Sequence, residues 1–173
     1  MTNGHWTNSE TMLTTWLVRT RHSQHSHHEA GKYYRTMHYI YGVPVVVLTT
    51  LIGTGAFASL EKQVSDRTKI WLGILSMAAA ILTAIQTHFQ FAERSEKHKS
   101  LGARYGNIRR EIEELLALPP SERGEPRKVL DDIRAKLDNI GGEGPVVPMR
   151  IWKSTLKMLA EKDTKSSISS SIV

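Results

Sequence analysis

Two long apolar segments separated by a short polar turn dominate the hydrophobic pattern of the chain. Residues 40–60 contain no Asp, Glu, Lys or Arg, and neither do residues 70–92. At about 1.5 Å of rise per residue, each segment would extend roughly 30 Å as a helix, which is the thickness of the hydrocarbon core of a bilayer. The pattern predicts an all-α protein built around a two-helix transmembrane hairpin at residues 39–92.

A soluble hairpin with both helices buried in a core is the alternative interpretation. Buried helices of soluble proteins are generally shorter than these segments. The rest of the chain is strongly charged, with only 3 Phe and 4 Trp in the whole sequence, and supplies little apolar material to cover two such helices. The membrane interpretation is therefore favoured.

Small and hydroxyl-bearing residues recur at helical spacing inside both spans. Because such residues let two helix backbones approach closely, we predict that they form helix-packing faces. The predicted packing residues are Gly53, Gly55, Ser59, Ser76, Ala80 and Ala84. Pro44 is predicted to lie in the first turn of the first span, where its missing N–H costs least.

Polar side chains gather toward the end of the second span. Polar groups inside a membrane usually face protein or a water-filled cavity, so they are candidates for the lining of a pore made by several copies of the hairpin. The candidate pore-lining residues are Thr83, Gln86, Thr87 and Gln90. The alternative is that this end of the span lies near the cytoplasmic headgroups and has no special role.

The distribution of charge around the spans predicts their orientation. Eight Lys and Arg residues lie in the flanking segments 19–35 and 94–104, against three in the turn at residues 61–69. This excess predicts a multi-pass membrane protein with both termini in the cytoplasm and the turn outside. The aromatic residues suited to anchoring at the headgroup level are Tyr39, Tyr41 and Trp71.

The segments outside the hairpin are predicted to form helices on the cytoplasmic side. Residues 1–38 have amphipathic and His-rich helical patterns, and residues 93–160 continue the second span as a long helix followed by two short helices packed on it. An apolar stripe at heptad-like spacing marks the long helix. Its members are Leu101, Tyr105, Ile108, Ile112 and Leu115. Residues 161–173 are Ser-rich and predicted to be disordered.

Four histidines between His22 and His28 raise the question of a metal site. The candidate ligands are His22, His25 and His28, because residues three apart share one face of a helix. A structural zinc site needs four fixed ligands, and the chain contains no Cys to complete the set. A solvated, pH-responsive polar patch is the favoured interpretation, and no metal is predicted.

The composition narrows the remaining chemistry. The absence of Cys excludes disulfides, thiolate nucleophiles and iron–sulfur clusters. No glycine-rich phosphate loop, nucleophile elbow or His-Glu-x-x-His motif occurs, so we predict neither an enzyme nor a cofactor. The net charge of +6, in a chain with membrane spans, favours contact with anionic lipid headgroups over nucleic acid.

Two stretches of the chain resemble a known family. They are HHEAGKYYRTMHYIYGVPVVVLTTLIGTGAFASL and ILTAIQTHFQFAERSEKHKSLGARYGNIRREIEELL. Three features carry the resemblance. They are a His- and Tyr-bearing helix before the first span, a Gly-x-Gly-x-Phe motif that begins at Gly53 near the end of that span, and a polar Ala-Glu-x-x-x-Lys-His motif that begins at Ala92. Over roughly residues 22–160 the chain resembles the SLATT family, the two-transmembrane effector domains associated with SMODS and SLOG proteins.

The resemblance implies a function for the predicted hairpin. It implies an oligomeric pore-forming or membrane-perturbing effector, activated through a partner protein that senses a nucleotide signal. The alternative is a non-conducting structural or scaffolding membrane protein, for example of a membrane-containing virus particle.

Overall fold

The chain is all-helical in its computed structural model, which describes residues 3–61 and 65–170, with side chains over 6–58 and 65–165. The helices are α1 (Asn3–Glu61), α2 (Asp66–Phe89), α3 (Phe91–Ala117), α4 (Pro126–Glu143) and α5 (Met149–Ser170). No strand occurs within the described ranges. The prediction of an all-α fold is therefore confirmed for them.

The helices are organised as two compact units. The apolar unit comprises Lys32–Ser95, and the four-helix unit comprises the chain up to Gly31 together with the chain from Glu96 onward. The sequence predicts a hairpin at residues 39–92, so the apolar unit extends a few residues beyond the prediction at both ends.

The first helix joins the amphipathic and His-rich helices predicted within residues 1–38 to the first span. Helix α1 runs without interruption for 59 residues. Pro44 consequently lies in the interior of α1 and not in the first turn of a helix. The N–H that Pro44 lacks is one that the helix would otherwise use, so this position loses a backbone hydrogen bond.

Within the apolar unit, α1 and α2 contact each other in antiparallel order. A Cβ added at Gly42 would lie 3.0 Å from Nε2 of Gln86, and one added at Gly55 would lie 2.9 Å from Cδ2 of Leu72. Residues later in α1 therefore contact residues earlier in α2, as in an antiparallel pair of helices. The start of α2 is capped by Ser65, whose side chain accepts a hydrogen bond from the backbone N–H of Thr68. The predicted turn residues 62–64 lie outside the described residues.

A break at Gln90 separates α2 from α3. Gln90 adopts the left-handed conformation, with φ of 48° and ψ of 46°, and its N–H donates to the carbonyl of Gln86 at 3.1 Å. The sequence predicts an unbroken helix from the second span into the cytoplasmic region, so the end of α2 inside residues 70–92 is a correction. A side chain with a Cβ in this conformation costs about 1–2 kcal/mol relative to the right-handed region.

Replacing Gln90 by Gly is expected to raise the free energy of unfolding by about 1 kcal/mol, because Gly adopts the left-handed conformation without a steric cost. Denaturant unfolding of the detergent-solubilised chain measures this change. The control is Ala103→Gly at an exposed position inside α3, which is expected to lower the free energy by about 1 kcal/mol. Destabilisation of equal size by both variants would contradict the strained break.

The four-helix unit has a continuous apolar core drawn from α1, α3 and α4. Its buried members are Trp6, Leu13, Leu101, Ile108, Ile112, Ile133 and Ile140. The apolar stripe predicted on the long helix lies in or against this core, since Tyr105 and Leu115 pack on the buried residues. The stripe therefore packs on helices of its own chain.

Two glycines of α3 allow α1 to approach its backbone. A Cβ added at Gly102 would lie 3.4 Å from the backbone carbonyl oxygen of Gln24, and one added at Gly106 would lie 2.8 Å from Nε2 of the Gln24 side chain. A Gly-x-x-x-Gly spacing is a known signal for close helix contact. The sequence prediction missed this pair, although the spacing is visible in the sequence.

Arg123 fixes the chain between α3 and α4. Its guanidinium donates to the carbonyls of Leu118 at 2.7 Å and Leu116 at 3.2 Å, and it pairs with Glu10 of α1. It also lies over the ring of Trp6, with 5.4 Å between the guanidinium carbon and the ring centroid. These contacts satisfy carbonyls that the end of α3 leaves without helical partners.

Helix α5 extends beyond the predicted end of the cytoplasmic region. Residues 161–170 continue the helix, although they were predicted to be disordered. Asp163 lies in this extension and pairs with Arg21 of α1 at 2.8 Å. This ion pair favours a helix that continues past residue 160. Residues 171–173 of the predicted tail lie outside the described residues.

Candidate functional site

Two helical stretches are long and apolar enough to cross a membrane. They are Trp6–Ala58 and Asp66–Ala117, the second comprising α2 and α3, and each contains an 18-residue window of mean hydropathy 1.8. None of the first window is buried, and 6% of the second is. A core helix of a soluble protein would be buried over such a window, because burial of apolar surface is what stabilises the core. Length, composition and exposure therefore agree with helices whose surroundings are lipid.

A groove of about 900 Å³ runs along the apolar unit between α1 and α2. We call it the small-residue groove. Its lining residues are Thr49, Ile52, Gly53, Ser76, Ala79, Ala80, Thr83, Ala84, Thr87 and His88. Most of these side chains are small, so a neighbouring helix would meet little steric obstruction there.

The predicted helix-packing residues fall into three groups. Those that line the small-residue groove are Gly53, Ser76, Ala80 and Ala84. Gly55 lies instead against Leu72, inside the contact between α1 and α2. The side chain of Ser59 lies outside the described residues.

The candidate pore-lining residues are not all brought together. Thr83 and Thr87 line the small-residue groove. Gln86 is turned toward α1, where its Nε2 lies 3.3 Å from Nδ1 of His38 and against Gly42. Gln90 lies at the break between α2 and α3. The groove therefore combines predicted packing residues with only two of the four predicted pore residues.

Three of the hydroxyl groups in the groove donate hydrogen bonds within their own helices. Ser76 donates to the carbonyl of Leu72 at 2.8 Å, Thr83 to that of Ala79 at 2.8 Å, and Thr49 to that of Val45 at 2.9 Å. A hydroxyl that donates within its own helix presents its methyl or methylene group outward together with an oxygen lone pair. The surface is thus weakly polar and compatible with both lipid and a neighbouring helix.

The predicted interface anchors have different surroundings. Tyr39 is 53% exposed with the guanidinium of Arg35 at 5.9 Å from its ring, and Trp71 is 64% exposed. Tyr41 instead stacks on Phe91, with ring centroids 5.4 Å apart and planes 11° apart. Tyr39 and Trp71 are therefore available to a headgroup layer, whereas one face of Tyr41 is used inside the apolar unit.

The histidine-rich part of α1 makes specific contacts within the four-helix unit. His22 contacts the backbone carbonyl of Trp152 through Nε2 at 3.2 Å, and the two rings meet edge to face. His27 is buried and its Nδ1 lies 2.9 Å from Nδ1 of the buried His98. The sequence prediction missed the His27–His98 pair, because His98 is distant in sequence and no local pattern connects the two.

The candidate metal ligands have other roles or unsuitable surroundings. Burial and the nearby charges of Lys162 and Arg21 lower the pKa of His25, and positive charge there also opposes a metal cation. His28 is exposed, and His22 is engaged with Trp152. Over the part of the chain that the structure describes, no group of three or more His, Cys, Asp or Glu residues is arranged to hold a metal ion.

Protonation of the His27–His98 pair is coupled to its geometry. A hydrogen bond between two Nδ1 atoms needs one donor and one acceptor, so at least one of the two imidazoles must be neutral. Burial, with a smaller contribution from His98, lowers the pKa of His27 from 6.5 to about 4. His27 also stacks on Tyr105, whose pKa is raised by burial.

Stability of the four-helix unit is expected to fall as the pH decreases from 6.5 to 4. The unfolded chain binds a proton at His27 in this window and the folded chain does not, so the free energy of unfolding decreases by up to about 3 kcal/mol. Unfolding measured by Trp fluorescence between pH 4 and 7 tests this, with His27→Gln as the control. If the stability of His27→Gln depends on pH as strongly as that of the parent, the effect does not come from His27.

Comparison with known proteins identifies no similar protein. No family model matches the chain, and no curated protein or solved structure is significantly similar to it. Fold and candidate site together define a class: an all-helical protein with two long apolar helices able to span a membrane, and a polar four-helix unit.

Proposed function

We propose that the protein is a multi-pass integral membrane protein whose α1 and α2 form a transmembrane hairpin, with both termini in the cytoplasm. We further propose that several copies assemble through the small-residue groove. The observation that carries the proposal is that the most apolar windows of both helices are left almost wholly unburied by the chain itself. Lipid and neighbouring copies are the surroundings that would cover them.

Assembly through the groove follows from how helices associate in lipid. Lipid tails are as apolar as Leu side chains, so helices gain nothing from hiding apolar area and associate by close packing. Close packing needs small residues on the contact face, and Gly53, Ala80 and Ala84 supply them in the groove. The outward faces carry larger side chains such as Val47 and Ile81, which suit contact with lipid.

The assembled hairpins are proposed to perturb the membrane or to form a pore, as the resemblance to the SLATT family implies. A partner protein that senses a nucleotide would supply the activating signal. The four-helix unit is the part of the chain that such a partner would reach, since it lies outside the apolar segments 40–60 and 70–92. Thr83 and Thr87 would contribute weak polarity to the pore.

A mass measurement and a leakage measurement on the same preparation test this proposal. The protein in detergent or nanodiscs is expected to be oligomeric, and vesicles that contain it are expected to release a trapped dye. Oligomers of fixed size in vesicles that stay sealed at every protein density would overturn the pore. Monomers at every density would overturn the assembly as well.

A non-conducting scaffold is the second candidate function. The hydroxyl hydrogen bonds within α1 and α2, together with the inward position of Gln86, favour a groove that packs over one that conducts. A scaffold predicts that replacing Gln86 by Leu leaves vesicle leakage unchanged. A pore whose polar lining includes Gln86 predicts a lower leakage rate for the same variant.

A further inference from the structure

One side of α5 holds this helix on the four-helix unit. Thr155 and Leu159 are buried, at 2% and 8% exposure. Asp163 accepts two hydrogen bonds from the guanidinium of Arg21 at 2.8 and 3.1 Å. His22 contacts the carbonyl of Trp152. These contacts fix the rotation of α5 and leave the side next to Thr155 and Leu159 uncovered over its first two turns.

This uncovered side, which we call the outward face of α5, carries a strip of large apolar side chains. Met149 is 65% exposed, Leu156 is 56% exposed and Trp152 is 37% exposed. At 100° per residue these three positions fall within a sector of about 60° on the helix. Val146, just before the helix begins, is also exposed. The strip is therefore continuous along the first two turns of α5 and the segment that leads into it.

A row of basic side chains lies beside the apolar strip. It consists of Arg150, Lys153 and Lys157, all exposed. No Asp or Glu occurs between Met149 and Ala160, so all the charged side chains in this part of α5 are basic. Cations near a helix amino terminus oppose the helix dipole, so they do not stabilise α5 itself. The basic side chains therefore suit an anionic partner outside the helix.

We propose that this outward face of α5 docks on the surface of a bilayer that contains anionic lipids. An apolar strip with a Trp, bordered by Lys and Arg, is the pattern of a helix that lies in the headgroup layer. The apolar side chains enter the layer while the cations pair with lipid phosphates. The inference rests on the proposed function, because the transmembrane helices keep α5 at the membrane.

The natural chain contains no Cys, so a single introduced Cys can report the surroundings of α5. The full-length variant Leu156→Cys, labelled with an environment-sensitive fluorophore, is placed in nanodiscs of phosphatidylcholine alone or mixed with phosphatidylglycerol. Blue-shifted emission is expected only with the anionic lipid. Replacing all three basic residues by Gln is expected to reduce the ratio of docked to undocked α5 by about a hundredfold, roughly fivefold per cation.

Two further labels separate failure of this inference from failure of the proposed function. A label at Ala135→Cys, exposed on α4, is expected to remain in water in both lipids. A label at Ile81→Cys in the apolar part of α2 is expected to be in lipid in both. If the Ile81 label is in lipid and the Leu156 label is in water with either lipid, α5 docking is overturned alone.

Two other outcomes would also overturn docking of α5 on lipid. If the Ile81 label is in water as well, the membrane proposal itself fails, and the docking inference fails with it. If the Leu156 label shifts in neutral lipid and the shift increases with the number of copies per nanodisc, a second copy of the chain covers this face. That result would overturn docking on lipid.

Discussion

Replacing Leu13 by alanine is expected to lower the free energy of unfolding of the four-helix unit by about 2–5 kcal/mol. Leu13 is fully buried and belongs to the core cluster that joins α1 to α3 and α4. The substitution removes apolar contacts and leaves a cavity that the surrounding helices fill only in part.

The matched control for Leu13 lies on the same helix. Val18→Ala removes apolar atoms from a side chain that is 62% exposed, and a change of less than about 0.5 kcal/mol is expected. Denaturant unfolding of both full-length variants, followed by Trp fluorescence to which Trp6, Trp16 and Trp152 of this unit contribute, gives the comparison. Equal destabilisation by the two variants would show that Leu13 is not in a packed core.

The second large effect is expected in the apolar unit, in the proposed assembly of several copies. Replacing Ala80 by Leu fills the small-residue groove with a bulky side chain and prevents close approach of a neighbouring helix. Overpacking of a helix contact costs about 1–3 kcal/mol, which corresponds to roughly a 5- to 150-fold weaker association per contact. The mass of the complex in nanodiscs or mild detergent measures the loss of assembly.

Ala58→Leu is the control for this variant, because it makes the same substitution at an exposed position of α1 that does not line the groove. It is expected to leave the mass of the complex unchanged. An Ala80→Leu protein that retains the parent mass would show that the copies do not meet through the groove. Loss of assembly in both variants would show that a larger side chain anywhere on the apolar helices weakens association, and that the groove has no special role.

The features that sequence predicts well here are those encoded by composition over many residues. The two apolar segments are visible because each excludes charge over a full membrane thickness, and the structure retains both as helices with unburied windows. The stripe that contains Ile108 and Ile112 is visible because heptad-like spacing places its members on one helix face, and both residues are buried in the core.

The features that sequence did not predict depend on contacts between distant residues. Gln90 is an ordinary helix-forming residue, and no local signal marks it as the end of α2. The neighbouring Phe91 stacks on Tyr41 of α1 and on Phe89, so aromatic packing across the two helices accompanies the break. The continuation of α5 past residue 160 likewise accompanies the long-range pair between Asp163 and Arg21.

The candidate site shows the same division. Several of the small residues that the sequence places on one side of α2 by helical spacing, such as Ser76, Ala80 and Thr83, line the groove. The inward position of Gln86 was not predictable from α2, since it depends on His38 and on the space left by Gly42 in α1.

The most direct test of the account is the side of the membrane on which each end of the apolar helices lies. Single Cys residues at Asp66, Ile81 and Ala135 are each treated with a membrane-impermeant thiol reagent, in intact cells and after lysis. The proposed transmembrane hairpin predicts that positions 66 and 135 react from opposite sides of the membrane and that position 81 reacts from neither. Reaction of all three positions from one side, or release of the chain from membranes by alkaline carbonate, would contradict it.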